Sequence, residues 1–187
     1  MSYDPNSPFC QWTRNVIDEF KDLSNEEIHK KLDDRSNNFA VLMAHVTGDF
    51  NIGTVLRSAN FHGVRDFFYY GRKKFDRRGC VGVHNYTPMQ FLRDPQNILG
   101  LKERYTLVGL ENNIPRTISI HQFDWNLDRP PCIVVGEECN GLGDDILGMC
   151  DVLLEIPNHG SIRSMNVGVA ASIAMHDYVS KKKVKSI

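Results

Sequence analysis

Five short apolar runs punctuate the chain between residues 39 and 157. They are "FAVLMAHV" (Phe39–Val46), "DFFYYG" (Asp66–Gly71), "YTLVGLE" (Tyr105–Glu111), "CIVVGEE" (Cys132–Glu138) and "DVLLEIP" (Asp151–Pro157), each ending in Gly, Pro or charge. Near-continuous apolar runs of this length predict strands covered on both faces, the pattern of a parallel sheet. Between the runs the period changes to that of a helix. Ile52, Val55, Leu56 and Ala59 fall at i, i+3, i+4 and i+7, a shorter helical region is expected over Phe91–Leu101, and "GDDILGMC" carries acids in its first turn. The alternation predicts an α/β fold, a parallel sheet flanked by helices. After the last run, a polar loop leads into a helix expected over Asn166–Ser180, rich in small residues: Gly168, Ala170, Ala171, Ser172 and Ala174. Small side chains at this density serve where another backbone comes close, so something presses on this helix. Residues 1–38 read differently, as a helical N-terminal extension ahead of the domain at 39–187. In it "TRNVIDEFKDL" and "SNEEIHKKLDDR" predict two short amphipathic helices, the second opened by Ser24 with Glu27 three residues on.

Bulk properties add limits. A chain of 187 residues builds one core without staples, and a formal charge of -1 gives no global field for nucleic acid, so any such surface must be local. Five cysteines, an odd number with no CxxC pair, suit free thiols in a reducing compartment. With no signal-peptide core or membrane-length apolar window, a cytoplasmic or nuclear setting is expected, the cytoplasm first, with no membrane partner. His and Cys lack ligand spacing, so no metal is expected.

Three stretches carry candidate chemistry. In "NIGTVLRSANFHGV" (Asn51–Val64), Arg57 lies about 200° around the helix from Val55, off the apolar stripe, so packing does not need this cation. Asn51 is placed to cap the helix, and Gly53 admits a close neighbour. The plain reading is a capped surface helix with a solvated arginine. In "VVGEECNGLGDDIL", a strand ends in a turn with Gly136, Gly141 and Gly143 that opens a helix, where open α/β sheets bind small molecules. It is neither GxGxxG nor a phosphate loop, and an ordinary turn is its bland alternative. In "IPNHGSIRSMNV", hydroxyls and an amide from Ser161, Ser164 and Asn166 gather on a loop between a strand end and a helix start.

Together and in this order, the three stretches resemble the SpoU family of RNA ribose 2'-O-methyltransferases, within the SPOUT class. Asn51, Gly53, Arg57, Ala59 and Gly63 are similar to the first family pattern, with Phe61 and His62 displaced by one around its Phe. Gly136, Glu138, Gly141 and Leu142 are similar to the second, with Cys139 where a glycine is common. Ile156, Pro157, Gly160, Ser164, Met165, Asn166 and Val167 are similar to the third. The resemblance covers roughly residues 39–180. It implies a SPOUT fold whose C-terminal segment is threaded into a trefoil knot, a rare exception to unthreaded chains, and a homodimer with the site at its interface.

The implied reaction moves the methyl of S-adenosylmethionine to a ribose 2'-hydroxyl of tRNA or rRNA. The resemblance makes Arg57, Asn51, Glu138, Ser164 and Asn166 the catalytic set, and Leu110, Glu111, Gly136, Glu137, Gly141, Ile156, Ser164 and Met165 the cofactor-binding set. A guanidinium has donors and no acceptor, so the expected role of Arg57 is electrostatic, a clamp on phosphate and a forming alkoxide. "GRKKFDRRG" supplies Arg72, Lys73, Lys74, Arg77 and Arg78 for an RNA backbone. The cluster Lys181–Lys185 is weaker evidence for an RNA grip, since basic tails often merely solubilise. A non-catalytic SPOUT-like RNA-binding protein is the first rival. A nucleotide-dependent oxidoreductase or kinase is the second, and it lacks a glycine fingerprint after the first strand.

Overall fold

A computed structural model describes residues 16–46, 48–112, 114–137 and 140–184. Seven strands form one sheet: β1 Ala40–Ala44, β2 Asp66–Tyr70, β3 Met89–Leu92, β4 Thr106–Leu110, β5 Ile118–Ser119, β6 Pro131–Val135 and β7 Val152–Glu155. Their order is β3-β2-β1-β6-β4-β7-β5, and every strand pairing is parallel. The helices are α1 Asn25–Asp34, α2 Asp49–Phe61, α3 Pro95–Gly100, α4 Asp144–Leu147 and α5 Val167–Val184. The fold is the predicted parallel α/β sheet.

Each of the five apolar runs supplies a strand, and β1 and β6 are buried along their whole length and bring no polar side chain inside. Two strands lie outside those runs. Met89–Leu92 is an edge strand with the interrupted pattern of one covered face, and β5 is two residues long with Ile118 exposed. The helix expected over Phe91–Leu101 is correspondingly shorter. Phe91 and Leu92 pair with β2, and the helix starts only at Pro95, where Asp94 caps Asn97 and proline suits the first helical position.

At the N-terminal side, α1 has the predicted capping box. Ser24 Oγ accepts from the Glu27 N–H at 3.2 Å while the Glu27 carboxylate accepts from the Ser24 N–H at 2.8 Å. The other predicted helix, Thr13–Leu23, is reduced to a single 3-10 turn, Asp18–Phe20, and Thr13–Asn15 lie outside the described residues. Ile17 and Ser24 are both extended, leaving room for little more than one turn, and that turn seats Phe20 in the core. Residues 16–38 lie outside the sheet, yet Phe20 and Ile28 belong to the same apolar cluster as β1, α2 and α5.

The small residues of α5 have a visible neighbour. A Cβ on Gly168 would stand 2.9 Å from Thr54 Cγ2, and Ser172 Oγ donates to Ser58 Oγ at 2.8 Å, so α2 of the same chain lies directly on α5. Ala171 and Ala174 are fully buried in the core that α2 and α5 share. The C-terminal half of α5 is fastened separately. Lys181 Nζ donates to the carbonyls of Ile120 at 2.8 Å and Phe123 at 3.1 Å and pairs with Asp177, whose carboxylate also accepts from Trp125 Nε1 at 2.7 Å. Lys182 Nζ donates to Asn37 O at 2.6 Å. Lys181 and Lys182 are therefore tertiary anchors and not a solubilising tail.

Candidate active site

The carboxyl ends of β4, β6 and β7 part to leave a cavity of about 230 Å³. Three loops wall it, and each contains one of the stretches singled out in the sequence or follows directly on its strand. Leu110 and Glu111 come from the end of β4; Gly136, Glu137 and Gly141 from the turn after β6; Ile156, Ser164 and Met165 from the loop after β7. All eight residues assigned from the resemblance to a cofactor thus line one cavity. Asn112, the last residue of the Leu110–Asn112 backbone that the resemblance places at the donor, lines it too, and Val135, Asn140, Arg163, Val167 and Ala170, which the resemblance does not assign to the cofactor, complete the lining. Val167 and Ala170 stand in stretches noted for other reasons, and Val135, Asn140 and Arg163 qualify by where the fold carries them.

The glycine turn owes its shape to absent side chains. A Cβ on Gly136 would be driven into the backbone of Gly141 and Leu142, and Gly141 holds φ +64, the left-handed region, with the Glu111 carboxylate where a Cβ would project. Reciprocal hydrogen bonds close the turn, Glu137 N–H to Gly141 O at 3.0 Å and Gly141 N–H to Glu137 O at 2.8 Å. Asn140 Nδ2 donates to the Glu137 carboxylate at 2.8 Å. The Glu111 carboxylate accepts from the Leu142 N–H at 2.8 Å and from the Asn112 N–H at 3.0 Å. Glu111 therefore braces the turn against the end of β4.

The first and third stretches meet beside this cavity. Asn166 Nδ2 donates to Asn51 Oδ1 at 2.9 Å, across 115 positions of chain. Asn51 does not open its helix as expected: α2 begins at Asp49 with Gly48 at its cap, so Asn51 lies inside the first turn and its amide turns to Asn166. The capping is done by Asn166, whose Oδ1 accepts from the N–H groups of Gly168 at 2.9 Å and Val169 at 3.3 Å at the start of α5. Of the predicted catalytic residues, Ser164 lines the cavity and Asn51 and Asn166 are bonded to each other. Arg57 is exposed on α2 and lines a second cavity, about 890 Å³, between α2 and the N-terminal segment. Glu138 lies outside the described residues, as does Cys139.

The close neighbour that Gly53 admits is the chain's own cationic loop. A Cβ there would enter the backbone of Gly79 and Cys80, so α2 and the segment Arg77–Cys80 are in direct contact. Arg72, Lys73, Lys74, Arg77 and Arg78 are all exposed. Arg78 is tied to Asp76, whose carboxyl it holds below the usual carboxylate range, and Lys73 lies 6.0 Å from the Phe91 ring. Two thiols are held protonated: burial keeps that of Cys132 well above its ordinary pKa, and desolvation pushes that of the partly buried Cys150 up to about 12. Cys10 lies outside the described residues.

Residues 38–176 match the SpoU rRNA Methylase family. Among curated proteins, the tRNA (guanosine(18)-2'-O)-methyltransferase of Aquifex aeolicus is 23% identical over 167 residues, covering 87% of this chain and 78% of that protein. The chain spans between 64% and 78% of the length of this and the next two curated relatives it matches. In three dimensions it is similar to the A. aeolicus TrmH/SpoU tRNA modifying enzyme, with TM-score 0.75, 22% identity and coverage of 87% and 84%. It is also similar to the SpoU methyltransferase AviRb of Streptomyces viridochromogenes in complex with AdoMet, with TM-score 0.70, 24% identity and coverage of 78% and 58%. At these identities the structural likeness is one of fold. The family match runs from the residue before Phe39 through β7 and into α5, taking in all three stretches, and the chain belongs to the SpoU rRNA Methylase family.

Proposed function

We propose that the protein is an S-adenosylmethionine-dependent RNA methyltransferase that methylates a ribose 2'-hydroxyl of tRNA or rRNA, working as a cytoplasmic homodimer. The observation that carries the reading is the single cavity into which β4, β6 and β7 deliver all eight residues expected to hold the cofactor. The lining suits that molecule. Leu110, Val135, Ile156, Val167 and Ala170 offer apolar contact, while Glu111, Asn112, Glu137 and Arg163 offer polar partners at the same cavity, and Gly136 and Gly141 keep the turn thin. When bound, S-adenosylmethionine supplies an electrophilic methyl on a sulfonium whose leaving group departs neutral.

What remains for the chain's own residues is to align the reactants, exclude water and manage one proton from a weakly acidic alcohol. Ser164 and Met165 present the loop after β7 to the cavity, and the Asn51–Asn166 bond holds that loop to α2. Arg57 engages phosphate and stabilises charge on the ribose oxygen as the proton leaves. The five exposed cations of Arg72–Arg78, seated against α2 through Gly53 and Gly79, grip the RNA backbone. The dimer reading is supported by apolar side chains left open around the same motifs, Phe61 at 86%, Phe50 and Ile162 at 67% and Val169 at 51% exposure. Among the described residues no helix is long and apolar enough to cross a membrane.

Calorimetry with S-adenosylmethionine, followed by transfer assays on tRNA and rRNA, tests the reading. Binding together with a methylated ribose is expected. Arg57→Ala is expected to bind the donor normally and to lose transfer by about 10²- to 10³-fold. RNA binding without any binding of the donor would favour a non-catalytic RNA-binding protein, and unchanged transfer in the variant would remove Arg57 from the mechanism.

A further inference from the structure

The backbone ladder between β4 and β7 ends where the Glu111 N–H donates to Leu154 O at 3.0 Å. One step further the two chains diverge, and a side chain spans the gap. Asn112 Nδ2 donates to Ile156 O at 3.2 Å, and Asn112 Oδ1 accepts from the Ile156 N–H at 3.2 Å. The carboxamide thus offers Ile156 the donor and acceptor that a neighbouring strand residue would have offered. Ile156 is followed by Pro157 and leads the third stretch, so its backbone sets where Ser164 and Met165 begin their approach. Asn112, Ile156, Ser164 and Met165 all line the cavity. The next brace is Glu111, which holds the β4 end to the Gly141–Leu142 turn.

We propose that Asn112 is a positioning residue for the methyl donor: its side-chain amide clamps Ile156 and fixes the spacing between the β4 and β7 walls of the cavity. The inference rests on the cofactor reading above. Its chemistry is specific, because only a group with a donor and an acceptor side by side satisfies both Ile156 atoms. A carboxylate of the same shape still accepts from the Ile156 N–H but is repelled by the Ile156 carbonyl. Protonated, the same carboxyl again has one donor and one acceptor and restores the pair.

The test follows from that isosterism. Donor affinity of full-length Asn112→Asp and of the unmodified protein is measured by calorimetry with S-adenosylmethionine from pH 7.5 to pH 5. Expected is a ratio of dissociation constants of about 10 at pH 7.5, the effect of disrupting two neutral hydrogen bonds only partly expressed in binding. The ratio should fall toward one as the introduced carboxyl takes up a proton, aided by the carbonyl facing it. A merely structural role would lower the fraction of binding-competent protein and leave the affinity of that fraction equal to that of the unmodified protein at every pH. Equal affinities at pH 7.5, or a ratio that stays at 10 down to pH 5, would overturn the proposal. A second measurement needs no ligand. In Asn112→Ala the Ile156 amide should exchange with solvent about tenfold faster, and an unchanged rate would also overturn it. Failure of the unmodified protein to bind the donor would sink the cofactor reading alone, with amide exchange still deciding the clamp.

Discussion

The two ends of α5 are held by opposite means. At the N-terminal end the helix packs closely on α2, and its polar contacts are made by small groups: the Asn166 cap, the Asn51–Asn166 bond, Gly168 against Thr54 and the Ser172–Ser58 pair. Val169 there is half exposed. At the C-terminal end, aromatic rings and charges interlock. Tyr178 packs edge-on against Phe39 at 5.5 Å and Trp125 at 5.4 Å, Trp125 bonds Asp177, and Lys181 gathers carbonyls of the loop after β5. A helix anchored so firmly at one end does not need bulk at the other. The end beside the cavity can then consist of groups chosen for reach and thinness, and stability and site geometry are assigned to different turns of one helix.

That division can be broken experimentally. The largest effect is expected for Trp125→Ala, which removes a buried aromatic and leaves Asp177 without its indole partner. About 4 kcal/mol of stability should be lost, lowering Tm by roughly 10 °C, while donor affinity of the folded fraction stays constant. Calorimetric melting combined with donor titration measures both. If transfer per folded molecule fell as well, the two ends would not be independent. Next comes Asn166→Ala, which should lower stability by only about 1 kcal/mol, the usual effect of a lost cap, yet reduce transfer by about tenfold because the loop after β7 loses its tie to α2. A variant that melts early and transfers normally would reverse the assignment.

The smallest effect sharpens the picture at the anchored end. The Tyr178 hydroxyl donates to the carbonyls of Asn37 at 3.0 Å and Asn38 at 3.3 Å, and burial raises its pKa. Because folding raises this pKa, the associated stability is complete below the unfolded value of about 10 and is lost as pH rises through the folded value. Tyr178→Phe should lower stability by about 1 kcal/mol at neutral pH and flatten the alkaline decline of Tm above about pH 10. An equally steep decline would exclude Tyr178 from it.

Much of the sheet is legible in the sequence because β1, β4 and β6 are buried almost throughout and β2 and β7 at their centres, and burial writes itself into local composition. Edge strands carry no such mark, hence the silence of β3 and β5. The capping box of α1 is legible for a related reason, since both partners lie within one turn. Roles defined by distant partners stay hidden. Lys181 looks like part of a basic tail until the loop after β5 is folded against it, and the side chain of Asn112 has no visible partner until Ile156 arrives 44 positions later. Asn51 looks like a cap because its side chain suits one, whereas α2 starts two residues earlier and the partner its amide actually serves is 115 positions away.

The strand order also bears on when each part of the sheet can pair. β1, β2 and β3 lie together within residues 40–92 and can pair as soon as they are made, whereas β1 gains its other neighbour only when Pro131–Val135 exists. Since β7 and α5 come later still, the open edge of β1 should wait for much of the chain before it is covered, and the cavity beyond β4, β6 and β7 should be among the last features to form.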